Sequence, residues 1–277
     1  SVVQGNIDQS LKWNPAFQEK TIDIYKELSL SPSAGPSDLI VWPETAVPFY
    51  FMNENRLTPE IFRLARNTGS CLLFGSPAVR VEKDQMQFYN RAYLLSPEGR
   101  VAYYDKIHLV PFGEYVPLKR FLPFVGKMVQ AIGDFSAGPG PIGLPLPRGK
   151  AGVLICFETI FPEISRAYKQ EGCQFLVNIT NDAWFGKTSA PYQHLSMLTF
   201  RAIENRVWIA RAANTGFSAF IDSTGRITQS VPLFQSGRIY ATIPLREDKT
   251  FYTRHGDLLV VFCGVILIIG LVLKRRK

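Results

Sequence analysis

The sequence predicts an α/β fold with two β-sheets, followed by an apolar C-terminal helix. Apolar runs of strand length alternate with helix-like stretches that carry start signals. These runs are too numerous for one ordinary sheet. Sixteen consecutive uncharged residues, 258–273, precede four basic residues at the C-terminus and predict the last helix.

Ten apolar runs are the strand candidates, and each is of strand length. In chain order they are Val2–Ile7, Leu39–Trp42, Cys71–Phe74, Arg91–Leu95, Val101–Asp105, Gly152–Ile155, Phe175–Ile179, Val207–Ala212, Ser218–Asp222 and Ile239–Ile243. Their number favours two sheets over one.

Proline marks the predicted helix starts. Asn14-Pro15 and Thr58-Pro59 each place a capping residue before a proline at the first helical position. Phe161-Pro162 opens a third helix by proline alone. Between residues 133 and 150, glycine and proline are too dense for a helix or a central strand. We therefore expect an arm or loop there.

The chain divides into a globular domain, residues 1–250, and a C-terminal segment, residues 251–277. The length of 277 residues and 46% hydrophobic content suffice for one large α/β domain. The uncharged run is slightly shorter than the roughly 20 residues that span a bilayer, so a buried core helix is the alternative. Lys274–Lys277 favour a transmembrane helix, because lysine and arginine can snorkel to lipid headgroups.

Charge sets the expected orientation and excludes one class of partner. The net charge is +8, but the last four residues carry four of the 31 basic side chains, which leaves 27 against 23 acidic ones, or +4. No basic stripe is present, so a nucleic acid partner is not expected. Basic flanks stay on the cytoplasmic side, which places the tail inside and the globular domain outside.

The cysteines and the first residues add two expectations. The four cysteines form no C-x-x-C pair, and Cys263 lies in the apolar segment, so neither a disulfide framework nor a metal site is expected. The chain begins with Ser1, and Val2–Ile7 reads as a first strand with no signal peptide before it. We expect a piece of a longer protein.

A carboxylate, an amine and a thiol stand at the ends of three apolar runs: Glu44, Lys106 and Cys156. A cysteine at a strand-to-helix turn is exposed for attack, and backbone N–H groups there can bind an oxyanion. A partly buried carboxylate suits a general base, and a lysine favours the thiolate. The alternatives are a cysteine that only packs and a structural Glu44–Lys106 ion pair.

Two more carboxylates and two histidines lie near these motifs. Glu114 and Glu158 could orient Lys106 or balance its charge, or could be solvated loop charges. His108 and His194 raise the alternative of a papain-like Cys–His protease, but no motif around the cysteine supports it. We expect His108 to make structural hydrogen bonds.

In order and context these residues resemble the nitrilase superfamily, whose members use a Glu-Lys-Cys triad. More closely, the chain resembles the apolipoprotein N-acyltransferases, integral membrane enzymes that complete bacterial lipoprotein maturation. The resemblance covers residues 1 to about 245 and rests on Val3–Ile7 with Lys12-Trp13, Trp42–Thr45, Lys106–Pro117, Ile155–Glu158, Asn181–Phe185 and Arg201–Arg206.

This resemblance implies a nitrilase-like αββα sandwich with a C-terminal transmembrane helix. It implies that Glu44 is the general base, Lys106 the oxyanion and thiolate partner, and Cys156 the acylated nucleophile. Glu114 would be the second carboxylate beside Lys106. Supporting or substrate-binding positions would be Glu158, Trp13, Phe157, Asn181 and Trp184.

The implied reaction moves an acyl chain from a phospholipid, through a cysteine thioester, to the free amine of a diacylglyceryl-cysteine apolipoprotein, with no cofactor. The implied location is the bacterial inner membrane, with a periplasmic catalytic domain and a cytoplasmic C-terminus. Two departures stand out: Phe157 replaces a tyrosine common in the family, and we expect residues 1–277 by themselves to lack the bundle of membrane helices found before this domain in the family.

Alternative functions are a membrane-tethered amidase or nitrilase acting on a small C–N substrate, and a non-enzymatic binding module on the same scaffold. Large apolar residues at 49–52 and at 121–125 with 128–129 flank the site motifs. If exposed, they suit acyl chains or a bilayer better than a water-soluble amide. The alternative is that they form the core of an insertion.

Overall fold

The computed structural model describes residues 1–31, 36–53, 55–82, 84–117 and 135–275. The apolar segment 121–125 with 128–129, and the last two residues of the basic tail, lie outside the described residues. Within the described part, twelve strands form two six-stranded sheets. In spatial order the first sheet contains β12 (Gly237–Ile239), β1 (Val2–Gln4), β2 (Leu39–Val41), β3 (Cys71–Glu82), β4 (Gln85–Leu95) and β5 (Val101–Asp105).

The second sheet repeats this plan, with three parallel strands flanked by antiparallel ones. Strands β1, β2 and β3 run parallel in the first sheet, and β7, β8 and β9 run parallel in the second. In spatial order the second sheet contains β11 (Ile227–Val231), β10 (Ser218–Ile221), β9 (Trp208–Ala213), β8 (Phe175–Thr180), β7 (Gly149–Ile155) and β6 (Leu144–Leu146).

Helices cover the outer faces of both sheets. Alternating strand residues point to opposite faces. Leu72 therefore packs in a cluster with α1 and α2, whereas Leu73 joins the core that links both sheets to α3 and α4. This αββα layering confirms the predicted α/β fold with two sheets. The helices are α1 (Gln18–Leu30), α2 (Thr58–Thr68), α3 (Pro162–Gln170), α4 (Ala190–Asn205), α5 (Phe251–His255) and α6 (Leu258–Arg275).

The helical segments begin at or next to proline as predicted, but the N-terminal capping of α2 differs from the prediction. The Asn14 side chain caps a 3-10 turn over 15–17, which leads into α1. Helix α3 begins at Pro162. The prediction that Thr58 caps α2 is wrong, because Thr58 is already helical and its hydroxyl donates to the Phe51 carbonyl at 2.9 Å.

Two strands were not predicted. The described end of the predicted loop, residues 133–150, contains β6, which pairs antiparallel with β7. Pro145 has no N–H to donate, but β6 lies at the edge of its sheet, where proline is tolerated. Strand β11 is mostly exposed, so it lacks the apolar run that reveals a buried strand.

The predicted transmembrane helix is not confirmed. Helix α6 has 18 residues, which at the usual rise correspond to about 27 Å, less than the hydrocarbon core of a typical bilayer. In the part of the chain that the structure describes, no helix has both the length and the apolar character needed to cross a membrane.

Candidate active site

The predicted site residues follow strands of both sheets. Glu44 comes after β2, Lys106 directly after β5 and Cys156 directly after β7. Because the two sheets pack face to face, these strand ends meet although they are far apart in sequence. The structure therefore brings together the three side chains that the sequence indicated.

Cys156 lies at a sharp turn. It has a φ of 51° and starts the 3-10 turn Cys156–Ile160, which leads into α3. This left-handed conformation is uncommon and strained for a residue with a side chain. Such a turn ends β7 abruptly, as expected for a nucleophile between a strand and a helix.

The surroundings of Cys156 keep its thiol protonated at neutral pH. Burial and the negative charge of Glu44 raise the pKa of the Cys156 thiol to about 12. Lys106 acts in the opposite direction and lowers this pKa. A thiol of this kind needs a base to remove its proton during attack on a carbonyl.

Lys106 is the buried cation of the site. Its ammonium lies 2.9 Å from Glu114 Oε2 and 4.0 Å from Glu44 Oε1, and the side chain is 1% exposed. Burial alone would lower the pKa of Lys106, but the charges of Cys156, Glu44 and Glu114 raise it above its ordinary value. Lys106 is therefore charged throughout the physiological pH range.

Glu44 is held by hydrogen bonds to both of its oxygens. Asn90 Nδ2 donates to Oε1 at 2.7 Å, and the Asn181 backbone N–H donates to Oε2 at 2.9 Å. The next residue, Thr45, has a φ of 50°. The chain passes so close to β3 that a Cβ on Gly75 would lie 2.7 Å from Glu44 Cα, so only glycine fits there.

Asn90 is a site residue that the sequence analysis missed. Its Nδ2 donates to Glu44 Oε1 at 2.7 Å and to Glu114 Oε1 at 2.9 Å. Its carbonyl accepts from the Lys106 N–H at 2.9 Å. A buried amide needs such partners. In the sequence, the only indication that Asn90 belongs to the site was its position directly before the predicted strand Arg91–Leu95.

Glu158 fixes the backbone around the site. Its Oε1 accepts from the Tyr104 hydroxyl and the Ile107 N–H, both at 2.7 Å, and its Oε2 accepts from the Ile155 N–H at 2.7 Å. Burial raises the pKa of Glu158 to about 7 despite the Ile155 hydrogen bond. Glu158 thus ties the segment after Lys106 to the nucleophile turn, and the alternative of a solvated loop charge is wrong.

Lys12 is a second buried cation, and its sequence context did not indicate a role at the site. Its ammonium donates to the Glu44 carbonyl at 3.0 Å, and the residue is 2% exposed. Burial lowers the pKa of Lys12 to about 8, while the charges of Glu44 and Cys156 oppose this effect. Lys12 is thus a further positively charged neighbour of the site.

The remaining predicted residues differ in their surroundings. Asn181 is buried and contacts Glu44 through its backbone, while its side chain donates to Gln9 at 2.7 Å. Trp13 and Trp184 are exposed at the surface. Phe157 packs edge-on against Phe161, with ring centroids 5.2 Å apart.

The apolar residues at 49–52 have two roles. Phe49 and Phe51 are buried in the cluster with α1 and α2, whereas Tyr50 and Met52 are exposed. The core interpretation is therefore right for Phe49 and Phe51. Tyr50 and Met52 instead lie at the surface, as the other interpretation requires.

The histidines do not form a Cys–His pair. The His108 ring stacks on Phe161 with centroids 3.5 Å apart, and its backbone N–H donates to Glu158. His194 Nε2 lies 3.1 Å from the carbonyl oxygen of Cys156 rather than pairing with its thiol. Among the residues that the structure describes, no group of three His, Cys, Asp or Glu side chains is placed to hold a metal ion.

Comparison with known proteins assigns this fold to a family. The family model of carbon-nitrogen hydrolases matches residues 1–249, most of the chain. The chain belongs to the carbon-nitrogen hydrolase family. An amidase from Nesterenkonia sp. AN1, with acrylamide added at its active-site cysteine, shares the carbon-nitrogen hydrolase fold, with a TM-score of 0.61, 19% identity and coverage of 85% of this chain and 89% of that one.

A carbon-nitrogen hydrolase from Helicobacter pylori G27 has a TM-score of 0.60 and 17% identity, covering 78% of this chain and 81% of that one. Curated relatives are more similar in sequence. A protein of Geobacter metallireducens named apolipoprotein N-acyltransferase is 51% identical over 281 residues, which cover 100% of this chain and 54% of that protein. One of the same name from Brucella melitensis is 36% identical, with the same coverage. The chain spans about half the length of these relatives.

Proposed function

We propose that this carbon-nitrogen hydrolase domain transfers an acyl chain from a phospholipid, through a thioester on Cys156, to the free N-terminal amine of a diacylglyceryl-cysteine apolipoprotein. The observation that carries the proposal is the position of Lys106. Its side chain is buried between Glu44 and Glu114, and its positive charge interacts with Cys156. The relatives named apolipoprotein N-acyltransferase support the choice of substrates.

In the first half-reaction, Cys156 attacks the ester carbonyl while Glu44 takes the thiol proton. Negative charge develops on the carbonyl oxygen and is stabilised by the Lys106 ammonium. The ester C–O bond then breaks, Glu44 returns the proton to the leaving oxygen, and a lysophospholipid departs. Cys156 keeps the acyl group as a thioester.

In the second half-reaction, the neutral amine of the acceptor attacks the thioester. Glu44 accepts the amine proton, Lys106 again stabilises the oxyanion, and the C–S bond breaks. The thiolate regains its proton from Glu44, and the product is an amide. Neither half-reaction requires a cofactor, because a thioester is reactive enough towards an amine.

Exposed apolar side chains beside the site support a lipid substrate. Trp184 is 72% exposed and follows Asn181, which hydrogen-bonds to Glu44. Trp13 is exposed next to Lys12. Exposed aromatic side chains suit acyl chains or a bilayer surface.

We also propose a periplasmic catalytic domain at the bacterial inner membrane, with a cytoplasmic C-terminus. The exposed apolar side chains of α6 and the basic residues at the C-terminus of the chain support this orientation. Protease added to spheroplasts should digest the domain and spare a tag after Lys277. A protected domain with an accessible tag would contradict the proposed orientation.

The thioester itself can be tested by mass. The protein incubated with phosphatidylethanolamine alone should gain one fatty-acyl mass that hydroxylamine removes, and Cys156→Ala should gain none. A diacylated lipopeptide with a free N-terminus should discharge the adduct, whereas its N-acetylated form should not. Hydrolysis of small amides without any acyl adduct would favour the amidase alternative instead.

A further inference from the structure

The carbonyl group of Cys156 accepts two side-chain hydrogen bonds. Thr159 Oγ1 donates to it at 3.1 Å, and His194 Nε2 lies 3.1 Å from it. Cys156 itself has the strained left-handed φ of 51°. A strained residue keeps its conformation only where its surroundings fix it. These two bonds act on the peptide group next to the strained Cα.

The contacts of His194 place a hydrogen on Nε2. A carbonyl oxygen only accepts, so Nε2 must donate to Cys156. The other ring nitrogen, Nδ1, lies 3.0 Å from Asp182 Oδ1 and 3.2 Å from Arg211 Nη2. Nδ1 accepts from Arg211 when the ring is neutral and donates to Asp182 when it is protonated. The bond to Cys156 is kept in both forms.

Buried hydrogen bonds fix the imidazole in turn. Asp182 Oδ2 accepts from Arg211 Nη2 at 2.6 Å, and Arg211 Nη1 donates to Asn178 Oδ1 at 2.6 Å. Asn178 Nδ2 donates to the Leu154 carbonyl at 2.9 Å. The chain of bonds thus starts at the nucleophile turn and returns to β7 just before it. A network closed in this way holds His194 in one place.

We propose that His194 is a positioning residue for the nucleophile: its Nε2–H bond holds the Cys156 peptide so that the thiol points into the site. His194 acts through the backbone of Cys156 and needs no contact with substrate. Asp182 and Arg211 orient the ring. The inference rests on the proposed role of Cys156 as nucleophile, but it does not depend on which carbonyl compound is attacked.

Two amide variants distinguish the roles of the two ring nitrogens of His194. In His194→Gln the side-chain amide can reach the position of Nε2 and donate to Cys156. In His194→Asn the shorter amide reaches only the position of Nδ1, near Asp182. Both variants are polar and uncharged, so they differ mainly in the bond to the nucleophile turn. His255→Gln, at an exposed position of α5, is the matched control.

The measurement is the rate at which iodoacetamide alkylates Cys156, followed by peptide mass, together with the melting temperature from circular dichroism. His194→Asn should slow alkylation about tenfold or more, because small displacements of a reacting atom are costly, while its melting temperature stays near that of the unchanged protein. His194→Gln and His255→Gln should react nearly as fast as the unchanged protein.

Three results would overturn the inference: an unchanged rate in His194→Asn, equal slowing by Asn and Gln, or slowing that parallels a fall in melting temperature. Thr159→Val removes the other bond to the same carbonyl, so its effect should be non-additive with that of His194→Asn. Failure of the unchanged protein to react at Cys156 would contradict the proposed function. Equal rates in all variants would contradict this inference alone.

Discussion

Asn90 donates a hydrogen bond of 2.7 Å from its side-chain amide to Glu44 Oε1. The same amide nitrogen donates to Glu114 Oε1 at 2.9 Å, so one side chain stands between the buried Glu44 and the partly buried Glu114. Lys106 contacts both carboxylates from another direction. Hydrogen-bond donors between Glu44 and Glu114 therefore keep the two carboxylates close together, since their like charges would otherwise repel.

Asn90→Asp should disable the site. The change replaces a shared donor with a third carboxylate next to Glu44 and Glu114, which raises the cost of keeping all of them ionised. We expect acyl transfer to fall by about a hundredfold or more. Asn53→Asp, at an exposed position, is the control and should remain active. Normal kcat/KM in Asn90→Asp would contradict this account of the hydrogen bonds.

Glu44→Gln and Lys106→Met should separate thiol reactivity from turnover. The charge of Glu44 raises the pKa of Cys156, so its removal should make the thiol easier to ionise and speed alkylation by iodoacetamide. Lys106 lowers that pKa, so its removal should slow alkylation. Turnover should fall by several orders of magnitude in both, because each belongs to one catalytic unit.

The two rates are compared on the same preparations. Alkylation of Cys156 is followed by peptide mass, and turnover is followed by acylation of a diacylated lipopeptide. Unchanged turnover in Glu44→Gln would mean that Glu44 is not a general base.

Glu158 should make the stability of the protein depend on pH. Burial raises its pKa from 4.5 to about 7, so the folded state binds more protons than the unfolded state between these values. Stability from this group is therefore fully present below pH 4.5 and is lost as pH rises through 7.

Over that interval the free energy of unfolding of the unchanged protein should drop by about 3 kcal/mol relative to Glu158→Gln. Urea unfolding of both proteins at pH 5 and pH 8 measures the difference. A constant difference at both pH values would mean that Glu158 stays ionised in the folded protein.

A cysteine series tests the identity of the nucleophile. Cys156→Ala should abolish turnover with little loss of stability, because it removes one small, half-buried side chain. Cys71→Ala and Cys173→Ala should stay active, since both thiols are buried in the hydrophobic core and serve packing. Lipopeptide acylation by the three variants is the measurement. Inactivity of both core variants, at normal melting temperature, would contradict Cys156 as the sole nucleophile.

Parts of the site were predictable because they are local in sequence. Glu44, Lys106 and Cys156 each end an apolar strand, and that pattern can be recognised without any tertiary structure. The two sheets followed from the number of such strands. Strands β6 and β11 were missed because edge and exposed strands lack a buried apolar run.

The sequence by itself therefore determined the fold class, the family resemblance and the three chemical groups. Only the tertiary structure decided how they are held, because the supporting bonds join residues that lie far apart in the chain. Asn90 is 46 residues from Glu44, and the Asn181 N–H is 137 residues from the same carboxylate. Such pairs depend on strand register and on the packing of one sheet against the other, which no local pattern encodes.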